Sequence, residues 1–244
     1  MRPPYCVSRP VRPPLLRHGP NQARGACLDH HRYQVRDSEI PRSPVAPDAT
    51  VGQTDPVDLA YRTSLLKRLR AVHSLYDDAC DTMTLDQVNH VVAPTTLPIA
   101  FSLAHQVLIE DVSLHMAGGP PSRYDDHWRA RLSLAIDDDG KARTVEEMVH
   151  QRIGDYSAFR SFQRVVFDAS ERYVATLDPV RFDDVLVSPP YGDVLERTFS
   201  ARVGAEDGIT RSDALECWIY QHALRHLGEI EHARSLVGLG GLTS

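Results

Sequence analysis

The sequence predicts an all-α protein, a four-helix bundle behind an N-terminal extension of a different kind. Three observations carry this expectation. From Asp58 onward, apolar residues recur at three- and four-residue steps in four long stretches. Clusters of Gly and Pro separate those stretches, and no repeat or low-complexity tract follows residue 54. The first 54 residues hold nine of the 17 prolines and eight arginines, with no hydrophobic period. Four amphipathic helices in one domain over residues 55–244 make a bundle, and bundle cores are a usual place for a metal site.

Taken in order, residues 1–54 come first. Pro-Pro pairs at 3–4 and 13–14 deny a helix. The segment lacks the continuous apolar run of a secretory signal and is too rich in proline for an amphipathic transit peptide. It is expected to be disordered and to add nothing to the fold, as upstream sequence read in from an early start codon would. Helix one runs to about Cys80, opened by Asp55-Pro56 and carrying Leu59, Leu66, Leu69, Val72, His73, Tyr76 and Ala79. His73 lies near the stripe and reads as a core or boundary residue. Thr84-Leu85-Asp86-Gln87 has capping-box form and opens a short helix to Val92, before Pro94 breaks it.

Helix two starts near Leu97-Pro98 and ends about Met116, before Gly118-Gly119-Pro120-Pro121. His105 shares a face with Phe101, Leu108, Ile109 and Val112. Gln106, Glu110 and Asp111 are expected to point outward, and His115 falls off the apolar face. Residues 117–143 read as loop, with an acidic run at 137–139 and Trp128 as an anchor. Thr144-Val145-Glu146-Glu147 opens helix three, which continues through a kink near Gly154 to Leu177. Leu195 to Phe199 alternates as a short extended excursion would. Helix four covers Ser212 to Val237, capped by Ser212 or Thr210 and stopped by the glycines at 238, 240 and 241.

Composition narrows the function. Hydrophobic content of 42% and charged content of 25% are ordinary for a globular protein. No apolar run approaches the roughly 18 residues of a membrane span. A net charge of −6 without a basic stripe argues against nucleic-acid binding. Cys6, Cys27, Cys80 and Cys217 are scattered without metal-site spacing, which places the chain in the reduced cytoplasm, with Cys217 as a small core hydrophobe. Only Lys67 and Lys141 are lysines, a bias that reflects genome composition rather than function.

Helix four carries the candidate chemistry. At 100° per residue, Leu215, Trp218, Ile219, His222, His226, Glu229, Ala233 and Leu236 share one face, while Tyr220, Glu231 and Arg234 point away. Two imidazoles four residues apart can reach one cation. The spacing alone is weak, because 12 histidines produce such pairs by chance and a buried histidine is commonly just hydrogen-bonded. Glu229, one turn beyond His226, could be a fourth ligand, an acid–base group or an acceptor that orients an imidazole; it could also pair with an arginine of another helix. Gly228 reads as a site of close helix packing.

The run T-x4-L-x6-H-x3-H-x-G-E-I, from Thr210 through Leu215, His222 and His226 to Ile230, resembles the fourth helix of the DinB-like family. His105, in PIAFSLAHQVLIED, resembles that family's helix-two histidine. The resemblance covers roughly residues 58 to 241. It implies a bundle in up-down-down-up order, usually a homodimer, with a divalent metal held by His105, His222 and His226. Zinc comes first for such a site, and nickel or iron also suit three imidazoles. The family further implies a small-molecule substrate and a low-molecular-weight thiol activated for transfer; a site of this kind can equally activate water for hydrolysis. The alternative is a non-catalytic helical bundle, in which the metal only stabilises the fold or a partner protein is the ligand.

Overall fold

Capping chemistry sets most of the helix boundaries in the computed structural model, which describes residues 56–242. The extension expected over residues 1–54 lies outside them. Helix α1 (Pro56–Asp81) starts at its proline and buries Leu65, Leu69, Val72, His73, Tyr76, Ala79 and Cys80. Thr84 and Gln87 close a capping box on α2 (Leu85–Asn89), which ends before Val92 because the chain turns extended at His90. Helix α3 (Ile99–Met116) follows Pro98. The stretch expected to be loop contains α4 (Asp126–Leu132), capped by the Asp125 side chain on the Trp128 amide. Trp128 anchors it, its ring 5.1 Å from that of Phe162.

The third predicted helix is two helices, α5 (Val145–Met148) and α6 (Tyr156–Thr176), and not one kinked rod. Gly154 marks the break. A Cβ there would lie 2.6 Å from Ser133 Cβ, and the Gly154 and Asp155 amides both donate to the Leu132 carbonyl at 3.2 and 3.3 Å. Asp155 then caps α6 through the Ala158 amide. A 3-10 turn (Pro179–Asp183) leads into β1 (Val185–Val187), which pairs antiparallel with β2 (Ile209–Thr210). The alternating run at 195–199 is not extended. It is a turn whose Thr198 hydroxyl caps α7 (Phe199–Gly204) through the Ala201 amide.

The last helix is built in three joined segments: α8 (Arg211–Ala214), a π-helical turn (Leu215–Tyr220) and α9 (Gln221–Leu236). Thr210 is the cap, in a box with Asp213. The π turn changes what faces the core. Its wider i→i+5 winding displaces everything beyond it by about one residue, roughly 100° of a straight helix. The apolar line therefore runs through Leu215, Ile219, Ala223, Leu227 and Ile230, and ends on the buried Arg234. Arg234 was expected to point outward. Instead its guanidinium donates to the Ala79 carbonyl at 3.2 Å and the Thr82 hydroxyl at 2.9 Å. His222, His226 and Glu229 lie to the side of that line. Gly228 has open space around it, so it serves no close approach; its cost in helix propensity is about 1 kcal/mol against alanine.

The chain is mostly helical, with one small two-stranded sheet among the described residues. Helix α6 packs against both α1 and α3, and α9 packs against both α3 and α1. Tyr76, Leu103, Leu114, Phe159 and Phe162 are fully enclosed between them. Helix α3 is covered on more than one side, and this overturns the expected outward face. Gln106, Glu110 and Asp111 are at most 1% exposed, while Val112 is at the surface. A carboxylate survives burial only with partners. Asp111 has them: Ser122 Oγ donates to its Oδ2 at 2.5 Å, and the Arg123 and Tyr124 amides at 2.7 and 3.0 Å. No helix among the described residues is long and apolar enough to cross a membrane.

Candidate metal centre

His105 sits on the middle of α3, and His222 and His226 sit one above the other on α9, which packs against it. The three side chains converge. His222 Nε2 lies 3.3 Å from His105 Nε2 and 3.2 Å from His226 Nε2, and the three nitrogens fall within 4.8 Å of one another. Two nitrogens bound at about 2.05 Å to one tetrahedral ion stand about 3.3 Å apart. Two of the three separations have the spacing of ligands around a shared cation, and the third is at most 4.8 Å.

The opposite ring nitrogens fix the proton positions. His222 Nδ1 donates to Gln106 Oε1 at 2.7 Å, His226 Nδ1 donates to Glu229 Oε2 at 2.7 Å, and His105 Nδ1 donates to the Asp139 carbonyl. The Gln106 orientation is dictated by its other end, where the amide nitrogen donates to Glu110 Oε2 at 3.0 Å. With each Nδ1 carrying the proton, each Nε2 presents only a lone pair. Three acceptors thus face one another with no donor between them, and a cation is the partner that satisfies all three.

Electrostatics agrees with neutral rings at His222 and His105. Burial pulls the His222 pKa down to about 2, helped by the nearby His226, His105, Arg225 and Lys141. Burial also lowers His105 against the pull of the Asp139 carbonyl. Glu229 is half-exposed and held below the usual carboxylate range, chiefly by the His226 imidazole and despite partial desolvation. Ser102 Oγ donates to the same Glu229 oxygen at 3.0 Å. Glu229 therefore stands behind His226, on its far nitrogen, and pairs with no arginine among the described residues.

Behind the cluster, the hydrogen bonds continue into the core. Glu110 Oε1 lies 3.1 Å from His73 Nε2, a close ion pair without the alignment of a good hydrogen bond. His73 Nδ1 is 2.9 Å from Glu171 Oε1, and Arg70 Nε donates to Glu171 Oε2 at 3.1 Å. The Phe167 ring stacks flat on His73 with centroids 3.8 Å apart. Burial opposes a charge on His73, but Glu110 and Glu171 outweigh it and raise its pKa to about 9. His73 is thus a buried imidazolium between two carboxylates.

The structure brings together the three histidines named from the sequence and sets Glu229 against one of them. Sequence reasoning missed Gln106, Glu110, Ser102 and the Asp139 carbonyl. A polar residue beside a candidate ligand, as Gln106 is beside His105, was the available signal; a backbone carbonyl from a distant loop leaves none.

No family model and no curated protein matches the chain. Its fold is similar to a solved structure described as that of a conserved protein of locus from Enterococcus faecalis, with a TM-score of 0.57 and 16% sequence identity. The likeness covers 72% of this chain and 95% of that one. At that identity it speaks for the arrangement of helices alone.

Proposed function

We propose that the chain is a metal-dependent enzyme of the DinB-like kind, a four-helix bundle in up-down-down-up order that works as a homodimer. His105, His222 and His226 hold one divalent cation, zinc first among the candidates. The observation that carries this is the convergence of three lone pairs whose opposite nitrogens all donate to protein oxygens. When bound there, a divalent ion supplies the Lewis acidity that deprotonates a low-molecular-weight thiol or a water near neutral pH. The chain's own residues do the rest. Gln106, Asp139 and Glu229 hold the three rings in one tautomer and one orientation. Glu229, on the far nitrogen of His226, acts on the centre through that ring, by taking up its Nδ1–H and raising its basicity as a ligand. The free Cys80 and Cys217 fit a reducing cytoplasm.

Purified full-length protein is expected to carry about one divalent ion per chain, and His222→Ala or His226→Ala to lose it. Glu229→Gln, which keeps the size and removes the charge, is expected to keep the helix and lower metal affinity or turnover. Wild-type protein that takes up no ion from saturating zinc or nickel would rule the centre out. A fully loaded protein that turns over neither thiol-transfer nor hydrolytic substrates would leave a stabilising metal in a non-catalytic bundle.

A further inference from the structure

A cleft of about 120 Å³ opens directly beside His222. Its floor continues the line of His105 along α3 through Ile109, Ser113 and Met116, each one turn further on. Phe199 at the start of α7 and Trp218 in the π turn also line it. Met116 and Phe199 are both about half-exposed, 50% and 51%, so the cleft offers apolar surface that no part of the described chain covers.

Two cations line the same cleft, Lys141 and Arg225. In a chain of net charge −6 with only two lysines, this is a local reversal of sign. Neither has a carboxylate within ion-pair distance among the described residues, and no residue lining the cleft is acidic. Their positions follow from the centre itself. Lys141 is two residues beyond the Asp139 carbonyl that holds His105, and Arg225 is one turn beyond His222. An unpaired cation pair over apolar walls, next to three convergent imidazoles, is a recognition surface with a definite chemistry.

We infer that this cleft binds the small-molecule substrate, and that the substrate is an amphipathic anion. A carboxylate or comparable anionic group lies between Lys141 and Arg225, and the apolar remainder lies over Met116, Phe199 and Trp218, which leaves the reacting atom next to His222. The assignment of this molecule as a substrate rests on the metal-dependent reading; its binding does not.

The test therefore separates the two. Full-length protein, both metal-free and zinc-loaded, is titrated with phenylacetate, phenyl phosphate and the neutral phenylacetamide by calorimetry, with the Trp218 indole signal followed by NMR. On metal-free protein at least one anion is expected to bind about tenfold more tightly than the amide, and to shift the Trp218 signal. Lys141→Met and Arg225→Met, both at exposed positions, are each expected to weaken that anion about tenfold without changing zinc content. Equal binding of anion and amide, no shift at Trp218, or wild-type affinity in both variants would overturn the inference while zinc uptake still upheld the metal centre. Anion preference in a protein that takes up no zinc would uphold the cleft and sink the centre.

Discussion

Two sets of histidines share this core, and their neighbours give them opposite charges. His222 and His73 are both buried, at 9% and 3% exposure, and burial alone would strip the proton from each. At His222 nothing opposes it. The ring faces two other imidazoles and a neutral amide, and its pKa falls to about 2. At His73 two carboxylates close on the ring from both sides, and the pKa rises to about 9. The partners decide the sign, and Gln106 keeps the partners apart. Its carbonyl faces His222 and its amide faces Glu110, so it links the two sets without passing a charge between them. A carboxylate at that position would set a negative charge against His222 and favour an imidazolium, which cannot ligate a metal.

The comparison can be broken most severely at its charged end. His73→Ala removes the cationic partner of the fully buried Glu110 side chain, and is expected to cost about 3–5 kcal/mol of stability in urea denaturation. His222→Ala in metal-free protein leaves only a neutral acceptor on Gln106 and is expected to cost less, about 1–2 kcal/mol. Equal losses would mean that His73 carries no charge.

A pH series sharpens the same contrast with a smaller effect. The folded pKa of His73, about 9, lies above its ordinary value of 6.5. Its contribution to stability is therefore complete below pH 6.5 and lost as the pH rises through 9. Wild-type protein is expected to lose about 1–3 kcal/mol across that window, and the His73→Ala variant to show a flat profile there. A wild-type stability that climbs with pH over this range would reverse the sign of the argument.

The smallest effect is expected at the connector. Gln106→Met keeps the shape and removes both hydrogen bonds, so His222 loses the acceptor that fixes its tautomer. Zinc affinity, measured by chelator competition, is expected to fall about tenfold. Unchanged affinity would show that the ring is held by packing alone.

Much of the helix plan was written in local chemistry. Thr84, Thr144 and Thr210 each close a capping box within four residues, and the Pro and Gly punctuation falls where helices end. His105, His222 and His226 stood out because imidazoles on apolar stripes are unusual. The errors share one cause. The sequence predicts a kink at Gly154 where the chain breaks into two helices, because the reason, the close approach of Ser133, lies in a distant segment. Arg234 was placed outside because a wheel at a constant 100° has no term for a π turn. Gln106 and Glu110 were placed outside because a wheel grants a helix one covered face, and α3 has more.

What the sequence by itself determined, then, is whatever a few neighbouring residues settle among themselves: the helical class, most of the caps and the three imidazoles. Tertiary structure decided the rest. It set the rotation of α9 that turns His222 and His226 toward α3, the burial of the Gln106–Glu110–His73 chain, the loop carbonyl on His105, and the charge on each histidine. Rotation follows from how a helix winds under packing, and charge follows from which partner replaces lost water. Both are set by groups far away along the chain.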